Sequence, residues 1–118
     1  MNITDFETED GFGLCASSEI DGEEFILSEH MVGGVYAVRG VVDVIVDECR
    51  DIPTIGYRYM VIQSMLKLEI DADIRDNKTR LCLWRDYGIS QDMSAIKADM
   101  AFSLCLSLAQ LKLKEEEI

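Results

Sequence analysis

The sequence predicts an α+β domain in the order ββα–ββα, an antiparallel sheet with two helices packed on one face. Three observations predict it. An Asp-Gly pair separates two alternating runs near the start. A long valine-rich stretch repeats its apolar residues every three or four positions. Another alternating run in the second half precedes a strongly apolar C-terminal stretch.

The first element is a β-hairpin, "GLCASSEIDGEEFILS". Asp21-Gly22 is a two-residue turn signal, because a type I′ turn needs positive φ at both central positions. Leu14, Ala16, Ser18 and Ile20 alternate before the turn, and Phe25 and Leu27 after it. The turn acids then face water.

The next stretch, "SEHMVGGVYAVRGVVDVIVDECRD", has the composition of a strand and the spacing of a helix. Met31, Val35, Val38, Val42, Ile45 and Cys49 draw one helical stripe, with Ser28 as N-cap and Glu29 at the positive end of the dipole. Gly33, Gly34 and Gly40 oppose this reading, each by about 1 kcal/mol relative to alanine. Gly33, Ala37, Gly40 and Val44 form a small-residue stripe that another element can approach closely. Two strands, "VYAVR" and "VDVIV", are the rival reading of residues 31–50. Pro53 ends the element.

From Leu66 the chain alternates: Leu66, Leu68, Ile70, Ala72 and Ile74 inward, Lys67, Glu69, Asp71, Asp73 and Arg75 outward. "RDNKT" turns it, and "RLCLWRDY" returns as the partner strand. The preceding "TIGYRYMVIQSM" extends the strand through a bulge or forms a short helix. Tyr57, Tyr59 and Trp84 read as sheet-face residues rather than a base-stacking platform.

The last helix begins after Gly88, with Ser90 as N-cap and Asp92 in the first turn. One stripe holds Met93, Ile96, Met100, Leu104, Leu108 and Leu111. A second holds Ala95, Phe102, Leu106, Ala109 and Leu113. One stripe covers the sheet. The other packs on the first helix or on another molecule, with a homodimer as the simplest case. Glu115 to Glu117 oppose the helix dipole, so residues 115–118 are expected to fray.

At 118 residues the chain is expected to be a single domain, 1–118. Its net charge is −12, from 23 acidic and 11 basic residues, which argues against direct contact with nucleic acid or an anionic membrane. The charge is local. Asp5, Glu7, Glu9, Asp10, Glu19, Asp21, Glu23, Glu24 and Glu29 precede the first basic side chain, Arg39, and beyond residue 29 the balance is 14 acids to 11 bases. Residues 1–29 form either a solvated face or a docking surface for a basic protein.

Chemistry-bearing patterns are sparse. Cys15, Cys49, Cys82 and Cys105 contain no CxxC, so zinc and redox motifs lack support, and buried thiols are expected. "MNITDFETED" lacks the basic and apolar segments of a signal peptide, which predicts a cytoplasmic protein. His30 is the single histidine. Asp43, Asp47, Glu48 and Asp51 crowd one stretch, and Asp71 and Asp73 another, but Arg39, Arg50, Lys67 and Arg75 beside them point to salt-bridged faces. No catalytic, metal-binding or cofactor-binding residue is assigned, and no cofactor is expected.

The function this predicts is a non-enzymatic interaction module of the adaptor, inhibitor, immunity or chaperone type. Its acidic face is Glu19, Asp21, Glu23 and Glu24, and its apolar helix face Phe102, Leu106 and Leu113. The alternatives are a nucleic-acid-mimicking antagonist encoded by a phage or mobile element, and a small enzyme or ligand-binding domain using Asp43/Asp47 or His30.

Overall fold

The computed structural model of the chain describes residues 2–8, 11–20, 22–29, 35–76 and 94–116. The fold is α+β. Strands β1 (Asn2–Thr8), β2 (Gly11–Ile20) and β3 (Glu23–Ser28) precede helices α1 (Val35–Glu48), α2 (Ile55–Asp76) and α3 (Ser94–Glu116). Among the described residues the order is therefore three strands and then three helices, and the order of two ββα units is not confirmed.

The sheet is antiparallel in the order β1-β2-β3. Ile20 pairs with Glu23, so two residues join β2 to β3, as the Asp-Gly signal requires. Gly22 has φ of +83°, a conformation glycine adopts without a Cβ clash. The inner face carries buried Leu14, Ala16 and Leu27, with Phe25 and Ile3 packed at the margin. Register accounts for this set: Ala16 lies opposite both Ile3 and Leu27, and Ser18 opposite Phe25. The expected alternation of the hairpin holds, and β1 is an additional strand.

In α1, Val38, Val42, Ile45 and Cys49 of the predicted stripe are buried, joined by Val41 and Val46. Met31 and the side chain of Val35 lie outside the described residues. One helix runs where two strands were the rival. Its described start is Val35; Ser28 is the last residue of β3, Glu29 after it is helical, and residues 30–34 lie outside the described residues. At Gly40 and Val44 the small-residue stripe is not closely packed, and Gly33 lies outside the described residues. Val44 is 46 % exposed, and a Cβ at Gly40 would meet no neighbouring element within 4 Å. Past Glu48 the backbone tightens, with Cys49, Arg50 and Ile52 donating to the carbonyls three residues earlier.

Helix α2 corrects the second predicted strand. Residues 66–74 are helical, within a helix that starts at Ile55. Ile62, Leu66 and Ile70 satisfy a period of two and a spacing of four equally well, but a strand would also turn Ser64 inward, and Ser64 is exposed. Ile62, Leu66 and Ile70 are all buried, whereas Leu68, placed inward by the alternation, is 68 % exposed. Lys67 pairs with Asp71 one turn on, at 3.6 Å. The helix opens at Thr54, whose carbonyl accepts from the Arg58 amide at 2.8 Å. The Arg58 guanidinium donates two bonds to the Ile52 carbonyl, at 3.0 and 2.7 Å, fastening the turn that Pro53 introduces. Tyr57 and Tyr59 are consequently helix residues, Tyr57 exposed and Tyr59 half-buried. The partner strand "RLCLWRDY", Trp84 and the expected cap Ser90 lie outside the described residues.

Helix α3 is the hub of the fold. It packs on β2, β3, α1 and α2. Met100, Leu104 and Leu108 of the first stripe and Ala109 of the second are buried, and so are Ala98, Ala101 and Cys105 between and beside them. Both stripes have neighbours within the chain because the sheet lies on one side and two helices on the others. Leu111, the last residue of the first stripe, is half-exposed. The helix continues into the acidic tail as far as Glu116, with Lys114 in its last turn.

Candidate functional site

The acidic surface predicted at the hairpin is built by the turn. A two-residue connection places Glu19 directly opposite Glu24 and Ile20 opposite Glu23. Glu19, Glu23 and Glu24 are all exposed, while Asp21 lies outside the described residues. Like charges facing each other across an antiparallel pair oppose strand pairing. Beside them Asn2, Ser17, Ser18 and Gly22 complete a shallow polar concavity at the turn end of the sheet. This end of the hairpin presents carboxylates and hydroxyls.

One predicted surface acid sits elsewhere. Glu29 is fully buried, and its Oε2 accepts from the Leu14 amide at 2.5 Å. Arg39 closes the arrangement from α1, donating Nε to Oε1 at 3.0 Å and Nη2 to Oε2 at 3.3 Å. Donating to the Glu29 carboxylate raises the guanidinium pKa above its already high value, against an opposing effect of burial. Glu29 ties β2 and the end of β3 to α1 and is not part of the solvent-facing field. The signal was present in the alternation: Phe25 and Leu27 point inward, and one more step of two reaches Glu29.

The carboxylate cluster on α1 is distributed among cations. Asp43 pairs with Lys112 of α3 at 2.8 Å, and Asp47 with Arg50 at 2.9 Å. Asp71 meets Lys67, while the side chain of Asp73 lies outside the described residues. Among the described residues no three metal-ligating side chains come together. His30 lies outside the described residues.

Cys49 and Cys105 are buried, as their helix positions predict. Burial, aided by Glu48, raises the Cys49 thiol pKa against the pull of Arg58. Burial pushes that of Cys105 up to about 12. Both thiols are therefore held protonated and unreactive at neutral pH. Cys15 is half-buried on the outer sheet face, 3.1 Å from the Thr4 hydroxyl. Cys82 lies outside the described residues.

The other predicted surface, Phe102, Leu106 and Leu113, is half-buried and packs against the core. The Lys67 ammonium lies 5.8 Å from the centre of the Phe102 ring, so part of this face is covered by α2. Gln110 donates to the Tyr59 hydroxyl at 2.8 Å along the same seam.

Among the described residues no helix is long and apolar enough to cross a membrane. Comparison with protein families, with curated proteins and with solved structures finds no match.

Proposed function

We propose that this protein is a non-enzymatic interaction module, of the adaptor, inhibitor, immunity or chaperone type, that binds a basic protein in the cytoplasm through the acidic end of its hairpin. The observation that carries the reading is the exposed carboxylate group of Glu19, Glu23 and Glu24, with Glu19 set directly against Glu24. Such a pairing weakens the hairpin, so its presence has a rationale in recognition rather than in stability. The field is one-sided as well. Residues 1–28, which leave out the buried Glu29, contain eight acidic residues and no lysine or arginine. It reaches about a Debye length, roughly 8 Å at physiological salt.

Two further features support the reading. Asp43 and Asp47, the acids a catalytic site would use, have cationic neighbours at ion-pair distance. Much of the apolar surface of α3 is occupied within the chain, which leaves the charged hairpin as the more distinctive exposed feature.

The test is affinity capture with the whole protein and with a variant carrying Glu19→Gln, Asp21→Asn, Glu23→Gln and Glu24→Gln, over graded salt. The expected result is a basic partner retained by the wild type at low salt and lost with the variant. Association of that partner should slow as salt rises, with a smaller change in dissociation. Equal capture and equal salt slopes for both proteins would reduce the acidic hairpin to a solubility device.

A further inference from the structure

A second surface, separate from the hairpin, lies between α1 and α2. Val41, Val44 and Glu48 on α1 face Met65, Leu68 and Glu69 on α2 across an open groove of about 600 Å³. Its floor is apolar, yet two of its large apolar side chains stay in water: Val44 is 46 % exposed and Leu68 68 %. Each wall also carries one glutamate, and among the described residues neither Glu48 nor Glu69 makes an ion pair.

We infer that this groove receives an amphipathic helix of a partner protein, apolar along one stripe and flanked by lysine or arginine. Two helices set side by side form the seat that helix-in-groove recognition uses, with apolar anchors at helical spacing. Charge chooses among occupants. A second copy of this chain, groove against groove, would bring Glu48 and Glu69 against their own counterparts, in a protein whose net charge is already −12. Lysine or arginine on the incoming helix instead meets both glutamates while its apolar stripe covers Val44 and Leu68. The groove and the hairpin are distinct surfaces, so this assignment does not rest on the hairpin reading.

The probe is a fluorescein-labelled synthetic peptide of about 18 residues, roughly 27 Å as a helix. It carries leucine at helical spacing and lysine on both flanks, and a comparison peptide carries glutamate on the flanks. Anisotropy titrations use the wild type, a Val44→Lys/Leu68→Lys protein and the neutralised hairpin variant, each first checked by thermal melting. The lysine-flanked peptide should bind the wild type, lose about tenfold or more in affinity with the groove variant, and keep most of it with the hairpin variant. The glutamate-flanked peptide should not bind. Amide shifts of the wild type on titration should cluster on α1 and α2, a readout that does not depend on any variant folding. Binding unchanged by the groove substitutions, shifts confined to the hairpin, or no binding of the lysine-flanked peptide would overturn the assignment. A dimer by light scattering that Leu68→Lys dissociates would overturn it too, and give the groove to a second copy.

Discussion

Glu29 and Arg39 form a two-point ion pair in which the glutamate side chain is fully buried and the arginine side chain is 44 % exposed. The two ends are therefore unequal. Remove the buried carboxylate, and an arginine remains that water can reach. Remove the arginine, and a buried charge loses its counterion.

Substitutions at this pair should follow that inequality. Glu29→Gln keeps an acceptor for the Leu14 amide and should cost about 1–2 kcal/mol. Glu29→Leu leaves that amide unpaired and should cost about 3 kcal/mol. Arg39→Ala should exceed Glu29→Gln, at about 3 kcal/mol or more, because it strands the carboxylate. Urea denaturation measures all three. Equal, sub-kcal/mol effects would mean that the pair does not fasten the sheet to α1.

Gly40 offers the opposite experiment. It sits inside α1, and a Cβ there meets no neighbouring element within 4 Å. Gly40→Ala should therefore stabilise the protein by about 0.5–1 kcal/mol, through lower backbone entropy in the unfolded chain and better helix propensity. A loss of stability would show that the glycine is needed for close packing after all.

These two positions illustrate what sequence can and cannot convey. The hairpin was legible because Asp21-Gly22 and its flanking alternation are local signals, and the buried stripe of α1 because Val38, Val42 and Ile45 repeat at helical spacing. The second predicted strand failed because Leu66 and Ile70 fit both periods, and the exposure of Ser64 and Leu68 separates them. Strand β1 escaped notice because Asp5 and Glu7 make its sequence read as acidic surface. Glu29 reads as a solvent-facing acid by residue type, although its alternation with Phe25 and Leu27 turns it inward, towards a partner ten residues away. The second stripe of α3 is accounted for by a third helix, α2, whose residues 66–74 alternate as a strand does and whose first half fits a bulged strand or a short helix.

Cys105 should make stability fall in alkali. Burial raises its thiol pKa from an ordinary 9.0 to about 12 in the folded protein. Below pH 9 both states hold the proton, and the contribution is fully present. As pH rises from 9 towards 12 the unfolded chain ionises first, so stability is lost by up to about 1.4 kcal/mol per pH unit from this group. Cys105→Ala removes the titration. Between pH 8 and 10.5 the wild type should lose about 1–2 kcal/mol more than the variant in urea melts. Parallel losses would show that the thiol ionises as easily folded as unfolded.

The pairing of Glu19 with Glu24 sets stability against recognition, and one substitution reads both. Glu24→Lys turns a like-charged cross-strand pair into an opposite-charged one while leaving Gly22 and the turn intact. Cross-strand pairs contribute roughly 0.2–1 kcal/mol, so removing repulsion and adding attraction should stabilise the hairpin by about 0.5–1 kcal/mol. Because both side chains are exposed, the gain should shrink as salt is raised. The same change moves the net charge of the hairpin end by two units and should slow association with a basic partner. Glu24→Gln removes the repulsion without adding a cation and should fall between the wild type and the lysine variant in both measurements. Thermal melts at low and high salt give the first quantity, and stopped-flow on-rates with the captured partner give the second. A more stable protein that binds more slowly is the outcome expected if the carboxylate pair serves recognition. A variant that gains stability and associates at an unchanged rate would leave the repulsion between Glu19 and Glu24 without a functional reason.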